Sequence, residues 1–102
     1  MAGNATGGTV RNDTARSRYE LDAGEAVAFA AYERREGRLV FTHTEVPEAL
    51  SGRGIGSALA RGALDDARAS GLRVVPLCPF IAAFIERHPD YRDLVADPAG
   101  EE

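Results

Sequence analysis

The sequence contains no lysine and no tryptophan, and only one cysteine and two histidines among 102 residues. Each shortage removes a class of chemistry. Without lysine there is no Schiff-base catalysis and no Gly-Lys-Ser/Thr phosphate clamp of a Walker loop; all 12 basic residues are arginine. A single cysteine, Cys78, rules out an intrachain disulfide and a multi-cysteine metal site. His43 and His88 stand too far apart in sequence to suggest a His-rich metal site. No apolar run approaches the ~20 residues of a membrane span. The first ten residues, MAGNATGGTV, lack the apolar segment of a signal peptide. The expectation is a cytoplasmic chain with no membrane partner. A net charge of -4 and a pI of about 5.2 argue against general nucleic-acid binding.

What is present suits one small domain. The Gly-rich start places a disordered segment at 1–14, and ADPAGEE places a disordered tail at 97–102. The domain then runs over 15–96, as a monomer or weak dimer. Arg18 to Asp22 alternates polar and apolar residues and reads as a strand. Glu25 to Arg35, bracketed by Gly24 and the Glu36-Gly37 turn, reads as a second. Arg38 to Val46 is a third, stopped by Pro47, with Leu39, Phe41, His43 and Glu45 sharing one face by strict alternation. The period then changes. Ile55, Ala58, Leu59, Ala63 and Ala67 make a helical stripe that Gly71 ends, while Arg61, Asp65, Asp66 and Arg68 make a solvated face. Arg73 to Cys78 is a buried strand left unpaired on one side near Pro76. Pro79 opens a helix to about Arg87, and Tyr91 to Val95 reads as a short last strand.

Between the third strand and the helix lies Ser51-Gly52-Arg53-Gly54-Ile55-Gly56-Ser57. Alternating glycines permit unusual backbone angles and let a ligand approach the main chain. The helix behind them offers free N–H groups and a positive dipole end. Together they predict an anion site, most naturally for phosphate. A dinucleotide fold does not fit, because the sixth position counted from Gly52 is Ser57 and from Gly54 is Leu59.

The stretch from Val46 to Leu59 resembles motif A of the GCN5-related N-acetyltransferases, usually Arg/Gln-x-x-Gly-x-Gly/Ala. More narrowly, Thr44-Glu45-Val46-Pro47, Val74-Val75-Pro76-Leu77-Cys78-Pro79-Phe80 and His88-Pro89-Asp90-Tyr91 are similar to the small, cysteine-containing branch of that superfamily. The likeness covers about residues 18–95. It departs at Ser51, where Arg or Gln is usual, with Arg53 two places further in. The resemblance implies an α/β minimal acetyltransferase fold: a mixed, mostly antiparallel sheet with a splayed strand pair and two main helices. It implies acetyl-CoA as cofactor, its pyrophosphate held by Ser51, Gly52, Arg53, Gly54, Ile55, Gly56 and Ser57, and its thioester carbonyl met by the main chain at Val46.

Acetyl transfer to an amine needs a neutral nucleophile, a polarised carbonyl and a proton for the departing thiolate. Cys78 stands at a helix entrance, a place that favours a thiolate. The resemblance implies a role there as acetyl acceptor or acid; the bland alternative is a thiol filling the core. Many relatives in the wider superfamily use a tyrosine on the last helix as the acid, and Ala83 to Glu86 has none. His43 suits a general base, and Glu45 either its orienting partner or a base acting on the amine through a water, against a hydrogen-bonded strand histidine and a solvated acid. The expected activity is therefore acetyl transfer to an amine acceptor, on a protein or small molecule. The rivals are a CoA-binding or regulatory module without turnover, and a plain interaction domain whose glycines only shape a turn.

Overall fold

The computed structural model describes residues 10–96. Five strands form one sheet in sequence order: β1 (Val10–Asp13), β2 (Arg18–Asp22), β3 (Val27–Arg35), β4 (Arg38–Glu45) and β5 (Arg73–Pro76). The first four are antiparallel neighbours. β5 lies parallel to β4, as the crossover through helix α1 (Ile55–Ala69) requires. Helix α2 (Pro79–Arg87) follows β5. The expected α/β architecture, mostly antiparallel with two main helices, is what the chain adopts.

The core lies between the helices and one face of the sheet. Tyr19 and Leu21 on β2, Ala28 and Ala30 on β3, and Leu39 and Phe41 on β4 are all buried there. Ala60, Ala63 and Ala67 of α1 are fully covered. Small side chains on both surfaces let helix and sheet approach closely. Gly62 carries this furthest: a Cβ there would lie 2.6 Å from the side chain of Val10. Helix α1 stops in a Schellman turn, with Gly71 at φ 72° and the Leu72 amide donating to the Ala67 carbonyl at 2.9 Å.

Two expectations need correction. Val10–Asp13 fell within the segment expected to be loose, yet it pairs with β2 in register from Val10↔Leu21 to Asp13↔Arg18. Its one apolar residue docks on Gly62, a contact that composition does not reveal; residues 1–9 and 97–102 lie outside the described residues. Tyr91 to Val95 is not a strand but mainly a 3-10 turn, Pro89–Leu94. Pro89 starts that turn, and only Val95 bridges to Val74. The polar face of α1 is exposed as expected, and it also tethers other elements. Tyr19 donates to Asp66 at 2.7 Å, Tyr91 to Asp65 at 2.7 Å, and Arg68 to Asp93 at 2.8 Å. Burial, and next the bond to Asp66, push the Tyr19 phenol far above its usual range.

Candidate functional site

The chain leaves β4 through Val46-Pro47, makes a 3-10 turn at Glu48–Leu50, and enters α1 through the glycine turn. Gly52 and Gly54 sit at φ 80° and 74°, the left-handed region that residues with a Cβ resist. Gly54 is the N-cap of α1 and supplies no side chain. The first helical amide with a helical acceptor is Ala58, which donates to the Gly54 carbonyl at 3.0 Å. The amides of Ile55, Gly56 and Ser57 therefore have no acceptor one turn back and point out of the helix end. Gly56 serves a separate purpose, since a Cβ there would lie 2.7 Å from Cζ of Phe80.

These residues surround a depression of 230 Å³. Val46, Ser51, Gly52, Gly54, Ile55, Gly56 and Ser57 all line it, joined by Leu50 and Phe80. Arg53 does not. Its guanidinium pairs with Glu25 in the β2–β3 turn and donates to the Ala49 carbonyl at 3.3 Å. That pairing holds the Glu25 carboxyl below its usual value. No basic side chain is among the lining residues of the depression. Phe80 was missed as a lining residue, although it directly follows the Cys78-Pro79 pair at the entrance of α2.

β4 and β5 part company beside this depression. Their register runs from Arg38↔Arg73 to Phe41↔Pro76. One further bond, Cys78 amide to Phe41 carbonyl at 3.0 Å, closes the shared edge. Beyond it, Thr42 to Glu45 of β4 have no rung with β5. Proline is responsible in part, because Pro76 brings no N–H to the last rung.

A bulge decides which side chains meet at this split. Tyr32 pairs with Phe41 and Ala31 with His43, so Thr42 is an extra residue in β4. Strict alternation would send His43 and Glu45 to the core face with Leu39 and Phe41. The bulge reverses that parity. Thr44 joins the core face, where its hydroxyl lies 3.0 Å from the Cys78 sulfur. Cys78 is only 2 % exposed.

His43 and Glu45 instead stand on the opposite, uncovered face, 63 % and 59 % exposed, with Nε2 and Oε1 3.2 Å apart. The three expected chemical groups are therefore divided between two faces of one sheet. On the open face the Phe29 ring lies edge-on to His43, and Arg18 stacks over Phe29 at 4.4 Å. The buried carboxylate of Glu20 joins this cluster, holding Arg11 at 2.6 Å and Arg18 at 2.7 Å. His88 is structural: its Nδ1 lies 2.9 Å from the Phe84 carbonyl and its ring stacks on Phe84.

Among the described residues no group of three or more His, Cys, Asp or Glu side chains is placed to hold a metal, and no helix is long and apolar enough to cross a membrane. Comparison with known proteins agrees with the geometry. The chain is 41% identical over 63 residues to Protein NATD1 of Bos taurus, covering 61% of this chain and 56% of that protein. It is 34% identical over 88 residues to Protein NATD1 of Mus musculus, covering 81% and 80%. The match thus spans little more than half of the bovine relative. Residues 18–94 match the family described as GCN5-related N-acetyl-transferase. A glycine turn at a helix start, a parallel strand pair that splits beside it, and this match over most of the chain place the protein in the GCN5-related N-acetyltransferase family.

Proposed function

We propose that the protein binds acetyl-CoA at the 51–57 turn and transfers its acetyl group to an amine. The observation that carries this is the turn itself: left-handed Gly52 and Gly54 aim unpaired main-chain amides into a depression beside the split. That donor set suits a diphosphate, which needs several N–H groups and no metal-ligating side chain. Acetyl-CoA supplies an acetyl group activated as a thioester. Hydrogen bonds to a charged acceptor are worth roughly 1.5–3 kcal/mol each, so the turn's amides suffice without the usual Arg or Gln at Ser51.

The roles assigned to the remaining residues follow from their faces. Val46, on the lip of the depression, offers its main-chain N–H to the thioester carbonyl. Cys78, hydrogen-bonded to Thr44, acts as proton donor on the helix side of the split. On the open side, His43, held by Glu45, removes a proton from the acceptor amine. On this reading the split, where the β4–β5 pairing ends, lets groups on both faces reach one thioester.

Calorimetric titration of acetyl-CoA should give binding heat, and mass spectrometry of the purified protein should show bound CoA. With an amine acceptor, free thiol should appear. Absence of binding heat at millimolar acetyl-CoA, with the chain folded, overturns the reading. A second reading, CoA binding without turnover, is favoured by one observation: the buried Cys78 and the exposed His43–Glu45 pair do not touch. Binding heat without thiol release over a panel of amines would select it.

A further inference from the structure

The sheet face opposite the helices carries a feature that acetyl-CoA binding does not use. Arg35 pairs with Arg38 across β3 and β4, and Arg38 pairs with Arg73 across β4 and β5. Three arginines therefore stand in one row on neighbouring strands. Like charges directly opposite one another destabilise a sheet, and this chain is acidic overall, with a net charge of -4. Glu33 offsets the row through an ion pair with Arg35, and Glu36 lies with Arg35 and Arg38 around a neighbouring depression. Arg73 donates to the Val95 carbonyl at 2.8 Å. Arg38, half-buried, has no hydrogen-bond or carboxylate partner among the described residues.

Two members of the row, Arg35 and Arg38, line one end of a groove of 410 Å³. Val40, Thr42, Val75 and Leu77 form its floor, and Arg35, Arg38 and Glu33 its far rim. Leu77 is 58% exposed, the largest exposure among the bulky apolar side chains described. Thr42 is the bulged residue at the β4–β5 split. The groove thus runs from the split to the arginine row. Thr42 lies four strand positions from Arg38, roughly 13 Å at strand rise. β4 itself puts roughly 23 Å between the row and its other end, and the glycine turn follows that end, so the row is not part of the diphosphate site.

We propose that this groove binds the acceptor, and that the acceptor is an amine carrying a carboxylate roughly 10–13 Å away along an extended, mostly apolar stem. The inference rests on the acetyltransferase reading for the identity of the reacting end. Its own observations are separate: an unpartnered Arg38, a row of like charges and a groove that joins them to the split. The helix side of the split is closed by Cys78 and by Ile81 and Phe84 of α2, all buried. The acceptor therefore comes from the open face, where His43 stands. An extended tri- or tetrapeptide has the required length at ~3.4 Å per residue.

The test compares tetra-alanine with its C-terminal amide, which has the same amine and stem but no carboxylate. Binding is followed by NMR titration and turnover by thiol release. The acid should bind about tenfold more tightly than the amide, a modest ratio because the arginines face solvent. Arg38→Gln should bring the ratio close to one, and Glu33→Gln should raise it by removing the competing carboxylate. Arg87→Gln, at the exposed end of α2, should leave it as it is. Shifts should centre on Val40, Thr42 and Leu77. Acid-selective binding without turnover of either peptide keeps the groove and overturns the transferase reading. Equal binding of acid and amide, no binding of either at millimolar concentration, or an acid preference that survives in Arg38→Gln overturns the groove.

Discussion

Replacing Gly54 separates the main-chain account of the anion site from any account based on side chains. Nothing lies within 4 Å of a Cβ built at Gly54, so alanine there causes no clash. The perturbation is purely backbone: φ is 74°, and a left-handed conformation costs an L-residue roughly 1–2 kcal/mol. Alanine also narrows the unfolded ensemble, which returns about 0.4–1 kcal/mol. The net loss is about 0–1.6 kcal/mol, at most ~13 °C in Tm for a chain this size. Gly54→Asn should lose less, because asparagine tolerates this region. Gly56 supplies the contrast. There the conformation is helical and the obstacle is Phe80. Overpacking by about 1–3 kcal/mol is partly offset by about 0.8–1.0 kcal/mol of helix propensity.

Both alanine variants should weaken acetyl-CoA binding, by different routes. Gly54→Ala tilts the amides of the first helical turn; losing one bond to a charged phosphate, about 2 kcal/mol, raises Kd roughly thirtyfold. Gly56→Ala instead displaces the ring that forms one wall of the depression. Thermal melts and calorimetry on Gly54→Ala, Gly54→Asn and Gly56→Ala should therefore rank asparagine ahead of alanine at 54. A Gly54→Ala protein that melts at the native temperature and binds acetyl-CoA with native affinity refutes the reasoning.

Cys78→Ala should lower turnover at least a hundredfold if the thiol delivers a proton, with acetyl-CoA affinity near native; normal turnover by the variant removes Cys78 from the chemistry. Thr44→Val keeps the shape but takes the partner from the Cys78 thiol; chemical denaturation should show a loss of about 1 kcal/mol, and a stability equal to native would show that the contact is not a hydrogen bond. The Glu20 carboxyl is held below its usual value by hydrogen bonds from Arg18 and then Arg11. Its contribution to stability is therefore complete above the unfolded value of about 4.3 and lost as pH falls through the lower folded one. Urea melts of native protein and Glu20→Gln should converge as pH drops from about 5 to about 3, and a constant difference would count against the pairing.

Hydrophobic period and glycine spacing made most of this fold legible. Helix α1 matches its predicted limits at both ends, because its apolar stripe is long and Gly54 and Gly71 punctuate it. The depression at its start is lined by the residues the turn pattern singled out, Arg53 excepted. Arg53 faces away because Glu25, far earlier in the chain, competes for it, and no local pattern contains that partner. β1 escaped for a similar reason. VRND has one apolar residue, and what holds it is a neighbouring strand and the bare surface of Gly62. The helix's carboxylates are exposed as expected, but their phenolic partners, Tyr19 and Tyr91, were not legible because they come from opposite ends of the domain.

The bulge at Thr42 is the deepest of these failures of local reading, and it bears on mechanism. Alternation puts His43 and Glu45 with Phe41, in a cluster that would include Cys78. One extra residue in β4 exchanges the faces of all that follows. Thr44, which alternation had turned outward, becomes the thiol's partner, and the imidazole moves to the open face. A strand that stayed regular would bury the ionisable pair against the core at a cost in desolvation. The proposed mechanism puts its two proton tasks on opposite faces and so needs a passage through the sheet. On that proposal the β4–β5 split, which begins at the last rung beside the bulge, would be the passage. Deleting Thr42 removes the extra residue and leaves Phe41 opposite Tyr32 and His43 opposite Ala31, so His43 should stay on the open face and Thr44 beside Cys78. On the proposed mechanism the expected result is near-native turnover of a small amine, with acetyl-CoA binding at the 51–57 turn unchanged. Loss of turnover in a deletion variant that still melts near the native temperature would show that Thr42 itself, and not the parity of β4, governs the chemistry.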